Sequence, residues 1–236
     1  MSHLADLFRL PEPVLVTDDI GASADFLLYQ VISAFKHSQA RCIFISVSGD
    51  LARWRALCSK TGLSLDAKIK DGSFLFVDVS ASMPRFATSL PSIFESTKSY
   101  VEASFSEATL KLVVLDSLST LEWIGFSATE VTRFARGLTA LCTKHNASLV
   151  FRHHVAVQDE PDDVFRTLYQ LAAYHIEVRS LSSGRSGSVT GEIAVHPCPR
   201  LNTEPILNIP RKQALQYRLT DSGATYFQRG TGQVVL

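Results

Sequence analysis

The chain has no cation where a bound nucleotide would need one. Its first lysine is Lys36, so the strand-like VLVTDD (14–19) and the turn and helix start IGASADFLLYQVISAF (20–35) carry the order of a phosphate-binding loop without its lysine. A G-x-x-x-x-G-K-[ST] loop works because glycines let backbone N–H groups close on the phosphates, a lysine neutralises them and a hydroxyl holds Mg²⁺. Here Gly21 is the turn's single glycine, and Asp18, Asp19 and Asp25 put carboxylates where a triphosphate would lie. Like charges in a partly desolvated turn cost on the order of several kcal/mol. The expectation is a nucleotide-binding architecture that no longer binds nucleotide, with no cofactor.

Other absences narrow the class further. The four cysteines, Cys42, Cys58, Cys142 and Cys198, form no C-x-x-C pair and have no histidine at ligand spacing, which argues against a zinc site or a disulfide framework and for buried reduced thiols. Lys+Arg and Asp+Glu both total 23, so the basic excess of a stand-alone nucleic-acid binder is missing. No apolar run approaches a membrane span, and Asp6, Arg9 and Glu12 precede any apolar stretch, against a secretory leader. The expected compartment is the cytoplasm, with the nucleus open as a second.

What is present is an alternation of short apolar runs with helical patterns, the mark of βαβ units and a mostly parallel sheet flanked by helices. Strands are expected at 14–17, 42–47, 74–79, 112–116 and 149–152. Helices are expected after Ser23 (Leu28, Val31, Ile32 and Phe35 inward), over 50–60 ended by Gly62, over 91–105 (Ile93, Thr97, Val101, Phe105) and over 128–144 between a Ser127 cap and Asn146. A further helix begins at Pro161. From about 174 the pattern becomes antiparallel: 175–181 with 188–196 across a Ser/Gly tip, then 213–219 with 224–230 across TDSG. This reads as one α/β domain of RecA-like type over 1–236, with a parallel core at about 12–180 and C-terminal hairpins at about 174–236.

Candidate sites follow from that layout. Asp116 ends LKLVVLD (110–116) in the place of a Mg²⁺-holding strand-end acid, but without a lysine it reads as a loop-capping residue. No G-x-S-x-G elbow surrounds Ser46, Ser48 or Ser117, so a hydrolase triad with His153 or His154 gains no support. Those adjacent histidines point to opposite faces of a strand, one packing and one facing a neighbour. The connection 117–128 is unusually apolar, and Leu118, Leu121, Trp123, Ile124 and Phe126, with Tyr226 and Phe227 of the last hairpin, are candidate interface residues; a short helix folded back on its own core is the alternative. Arg185, Arg200, Arg211 and Lys212 are the basic residues open to RNA, whereas Asp159, Glu160, Asp162 and Asp163 would repel phosphates.

LQYRLTDSGATYFQRGTGQVVL (215–236), the lysine-free turn at 14–25 and LVVLDSLSTL (112–121) resemble the sixth subunit of the Elongator complex, a RecA-like family without functional Walker motifs. The resemblance implies a non-enzymatic scaffold that forms a hetero-hexameric ring with the fourth and fifth Elongator subunits. It further implies docking on the catalytic Elongator core and support of wobble-uridine modification in tRNA bound by the assembly. The fifth subunit and a divergent RecA-type ATPase stay open as alternatives.

Overall fold

The computed structural model describes residues 2–34, 39–79, 89–106, 108–156, 160–181, 189–220 and 223–229. The elements in chain order are α1 (Ser2–Leu7), β1 (Pro13–Asp18), α2 (Asp25–Ala34), β2 (Ala40–Ser46), α3 (Leu51–Ser59), α4 (Leu65–Lys70), β3 (Phe74–Asp78), α5 (Leu90–Ser104) and β4 (Leu110–Leu115). They continue with α6 (Leu118–Trp123), α7 (Ala128–Lys144), β5 (Ser148–His154), α8 (Asp163–Leu171), β6 (Tyr174–Arg179), β7 (Gly191–Pro197), β8 (Leu215–Thr220) and β9 (Gly223–Phe227).

Among the described residues the strands form a single nine-stranded sheet in the order β3-β2-β4-β5-β1-β6-β7-β8-β9. Every pairing from β3 to β6 is parallel, and every pairing from β6 to β9 is antiparallel. The switch at β6 matches the change of pattern near residue 174. Two-residue alternation along each strand divides the core in two. Val14 and Val16 face α1, α2 and α3, while Leu15 faces α5, α7 and α8.

Local signals explain the helix ends. Asp50 caps α3 by accepting from the Arg53 N–H, and Ser127 and Glu130 form a reciprocal capping box on α7. Asn146, at φ 53°, turns the chain out of α7, and Gly62, at φ +74°, lets the Leu63 N–H reach the Cys58 carbonyl. The stripes expected on α5 and α7 are buried as read.

Several expectations need correction. Ser23 is not the N-cap of α2: the helix starts at Asp25, whose N–H reaches back to the Ser23 hydroxyl at 3.2 Å. Nor is α2 one-sided, because Phe26, Leu27, Leu28, Tyr29, Val31 and Ile32 are all buried between the sheet and α3; Phe35 lies outside the described residues. The short helices α1 and α4 were too brief for a periodic pattern to reveal. All four cysteines are buried and unpaired, and burial pushes the Cys58 and Cys198 thiols up to about 12.

Candidate functional site

The carboxyl ends of β1, β2, β4 and β5 converge where a parallel α/β sheet normally holds its ligand. In this chain that space is closed from within. The turn after β1 directs its own oxygens onto the backbone N–H groups that phosphates would use. Gly21 N–H donates to Asp19 Oδ1 at 2.8 Å, Ala22 N–H to the Asp19 carbonyl at 3.2 Å, Ala24 N–H to Asp18 Oδ2 at 2.8 Å and Asp25 N–H to Ser23 Oγ. The second oxygen of Asp19 accepts from the Ser180 N–H and hydroxyl, which ties the turn to the end of β6.

Arg152 supplies the cation. It lies on β5 beside Val16 of β1 and is 1 % exposed. Its Nε donates to the Asp116 carbonyl, Nη1 to the Asp25 carboxylate, and Nη2 to Ser48 Oγ at 3.1 Å, with Asp18 Oδ2 3.8 Å away. Arg53 binds Asp25 from the solvent side, and His154 Nδ1 closes on Asp18.

Asp116 is fully buried and also engaged. Its carboxylate accepts from Ser46 Oγ at 2.6 Å, Val47 N–H at 2.7 Å and Ser48 Oγ at 2.8 Å, while Trp54 Nε1 donates to Ser46 Oγ at 3.0 Å. It pins the loop after β2, in line with the loop-capping reading. The acidic rim read from sequence as a repulsive surface is corrected here: Asp25 pairs with Arg152 and Arg53, and Asp18 lies against Arg152 and His154, so these carboxylates are engaged within the chain rather than bare. Arg152 escaped sequence reading because an arginine in an apolar run looks like a strand end; its only signal was its place on the strand beside the lysine-free turn.

The two histidines diverge as expected. His153 turns toward α6 and α8, where Nδ1 lies 3.0 Å from Ser119 Oγ and Nε2 2.8 Å from Asp162. His154 turns the other way and stacks against Trp123, ring centroids 5.7 Å apart.

The candidate interface residues separate into groups. Leu118, Leu121 and Tyr226 belong to the chain's own core, because 118–123 is helix α6 folded back on the sheet. Phe126 and Phe227 are half-buried. Trp123 is 66 % exposed and Ile124 40 %. Of the basic candidates, Arg211 pairs with Glu192 at 3.2 Å and Arg200 with Glu12 at 3.4 Å, Lys212 is exposed, and Arg185 lies outside the described residues, as does Asp159. Among the described residues no cluster of three or more acids, histidines or cysteines is arranged to hold a metal, and no helix is long and apolar enough to cross a membrane.

This is a RecA- and KaiC-like domain in which Arg152, Asp18, Asp25 and Asp116 meet at the carboxyl ends of the parallel strands. A KaiC-like protein from Pyrococcus horikoshii OT3 superposes with a TM-score of 0.69 over 92% of this chain and 90% of its own at 11% identity, a likeness of fold alone. The chain belongs to the Elongator subunit Iki1 family, whose model matches residues 9–194. Proteins named Elongator complex protein 6 from Danio rerio and Rattus norvegicus are similar over nearly their whole length. The first is 22% identical over 98% of this chain and 95% of its own; the second is 19% identical over 92% and 91%. The resemblance to the sixth Elongator subunit is therefore borne out, and an Elongator subunit functions in a complex with other Elongator subunits.

Proposed function

We propose that the chain is a non-catalytic assembly subunit that joins the fourth and fifth Elongator subunits in a hetero-hexameric ring. The ring docks on the catalytic core and supports wobble-uridine modification of tRNA. The carrying observation is the closed turn at 19–25, in which the N–H groups of Gly21, Ala22, Ala24 and Asp25 already serve the chain's own oxygens. A domain that keeps the RecA-like sheet while filling its ligand position retains the surfaces that pack against neighbours, and exposed apolar residues among those described include Trp123 and Ile124 at the end of α6 and Ile20 in the turn after β1. The reading favours contact with tRNA through the assembly, since Arg200 and Arg211 are engaged in internal ion pairs.

Titration calorimetry with ATP and Mg²⁺ tests the non-catalytic part: no binding is expected at millimolar nucleotide, and micromolar binding that disappears in Asp116→Ala overturns it. Co-expression with the fourth and fifth subunits and native mass measurement tests the ring, for which a six-chain particle is expected. Reconstitution lacking either an authentic fifth or an authentic sixth subunit establishes which place this chain fills.

A further inference from the structure

The antiparallel end of the sheet presents a polar face. On β6 and β7, Ile176, Val178, Ile193 and Val195 belong to the core on the α2 side, so Glu177, Arg179 and Glu192 lie on the opposite face. There α8 packs over His175 at the inner margin. Further out on the same face, Gln216 stands across from Phe227 and Arg218 across from Thr225. The two glutamates lie beneath arginines. Glu192 is 1 % exposed and takes Arg211 at 3.2 Å and Arg229 at 2.6 Å, while Glu177 is buried among Arg179, Arg211 and His196.

The charge that reaches solvent over β8 and β9 is therefore positive. Arg229 keeps 55 % of its side chain exposed while it holds Glu192. Arg218 is exposed, and among the described residues it has no carboxylate partner. Toward β6 the balance changes, because Glu160 and Asp162 share a cleft with Arg179, which confines the cationic area to the outer strands. The same strands supply an edge. β9 ends the strand order, so among the described residues its outer N–H and C=O groups meet no further strand. Sheet edges are commonly blunted by proline or by charge within the strand, and GATYF (223–227) has neither. A polypeptide can complete those backbone hydrogen bonds, and a polynucleotide cannot.

We propose that the outer edge of β9 docks an extended segment of a partner protein with the pattern acid-x-apolar-x-acid. Thr225, Phe227 and Arg229 follow one another on this face in steps of two, and Arg218 is the cross-strand neighbour of Thr225. An added strand places its own side chains at the same step, whichever way it runs. One acid then falls beside Thr225 within reach of Arg218, the apolar residue beside half-buried Phe227, and the second acid beside Arg229. The surface stands on the sheet's own geometry and does not depend on the ring.

The full chain is titrated by fluorescence anisotropy with three dye-labelled peptides: Thr-Glu-Thr-Val-Thr-Glu-Thr, its counterpart with glutamine for both glutamates, and the glutamate peptide N-methylated at every peptide bond. Saturable binding is expected for the first. It should be about tenfold weaker for the glutamine peptide, about threefold weaker in Arg218→Gln, and lost on N-methylation. Bound peptide should slow amide exchange in β9 and leave β3, the other outer strand, unchanged. Equal affinity for the two unmethylated peptides, unchanged affinity in Arg218→Gln, binding that survives N-methylation, or protection at β3 overturns the proposal. A stronger response to a uridine oligonucleotide overturns it in favour of an RNA surface. Absence of saturable binding overturns it as well, the edge then being closed to a partner strand by the chain's own residues after 229 or by other means.

Discussion

Arg152 and Asp25 meet across 127 residues of chain, the guanidinium Nη1 donating to a carboxylate on the first turn of α2. The contact joins the middle of the parallel sheet to the helix that follows the closed turn. Because the arginine is buried, removing it takes the guanidinium from Asp18 and leaves Asp25 with Arg53 alone. Breaking a buried pair by deleting one partner costs about 3–5 kcal/mol. Arg152→Ala is expected to lose about that much in urea denaturation with the slope unchanged. Arg152→Lys should recover only a minor part, since an ammonium cannot reach the Asp116 carbonyl, Ser48 and Asp25 together.

The reach of sequence reasoning has a physical pattern. Periodicity found α5 and α7 because Ile93, Thr97, Val101 and Phe105, or Val131, Phe134 and Leu138, each fall on one buried stripe. It was incomplete for α2, where Leu28, Val31 and Ile32 are buried as read but Phe26, Leu27 and Tyr29 are buried as well. The missing lysine before Lys36 was visible too, as a fact of the chain. What filled the space was not. Arg152 meets Asp25 only after β5 has paired with β1, and no spacing rule connects residues 25, 116 and 152. For the same reason the apolar connection 117–128 could be flagged, but only folding decided that Leu118 and Leu121 turn inward and Trp123 outward.

Acid should weaken the fold in two separable steps. Burial lowers the His175 pKa to about 4 despite the nearby Glu177 charge, and its Nε2 lies 2.7 Å from Thr17 Oγ1. The unfolded chain binds a proton near pH 6.5 that the folded chain refuses, so this contribution is present above 6.5 and lost as the pH falls toward 4. Glu177 behaves likewise one window lower. Burial would raise its carboxyl, but the hydrogen bond from His196 and the charges of Arg179, Arg211 and His175 prevail and bring it to about 2. Its contribution is present above 4.5 and lost toward 2. Urea titrations at closely spaced pH values are expected to show stability falling by roughly 3 kcal/mol across the histidine window, with His175→Gln flattening that step only.

Gly191 starts β7 at a close approach of three strands. A Cβ there would lie 2.6 Å from the Arg179 carbonyl oxygen and 2.8 Å from the Tyr217 hydroxyl. The backbone oxygen cannot move without loosening the β6–β7 pairing. Gly191→Ala is expected to cost about 1–3 kcal/mol, read as a fall in the thermal midpoint of roughly 2–4 °C per kcal/mol. Adding Tyr217→Phe should relieve only the hydroxyl clash and restore less than half of the loss.

Asp116 distinguishes a loop anchor from a metal ligand. Its carboxylate accepts hydrogen bonds from the Ser46 hydroxyl, the Val47 N–H and the Ser48 hydroxyl. In Asp116→Asn the amide nitrogen must face at least one of those donors, leaving buried polar hydrogens without acceptors. The expected loss is about 1–3 kcal/mol, visible in chemical denaturation. If the acid served Mg²⁺ instead, relieving its charge would change stability in a manner that depends on added magnesium, because a bound ion stabilises the folded state by mass action. Wild type and Asp116→Asn are therefore expected to keep the same stability difference with and without millimolar Mg²⁺. A difference that grows with the metal would reassign the residue.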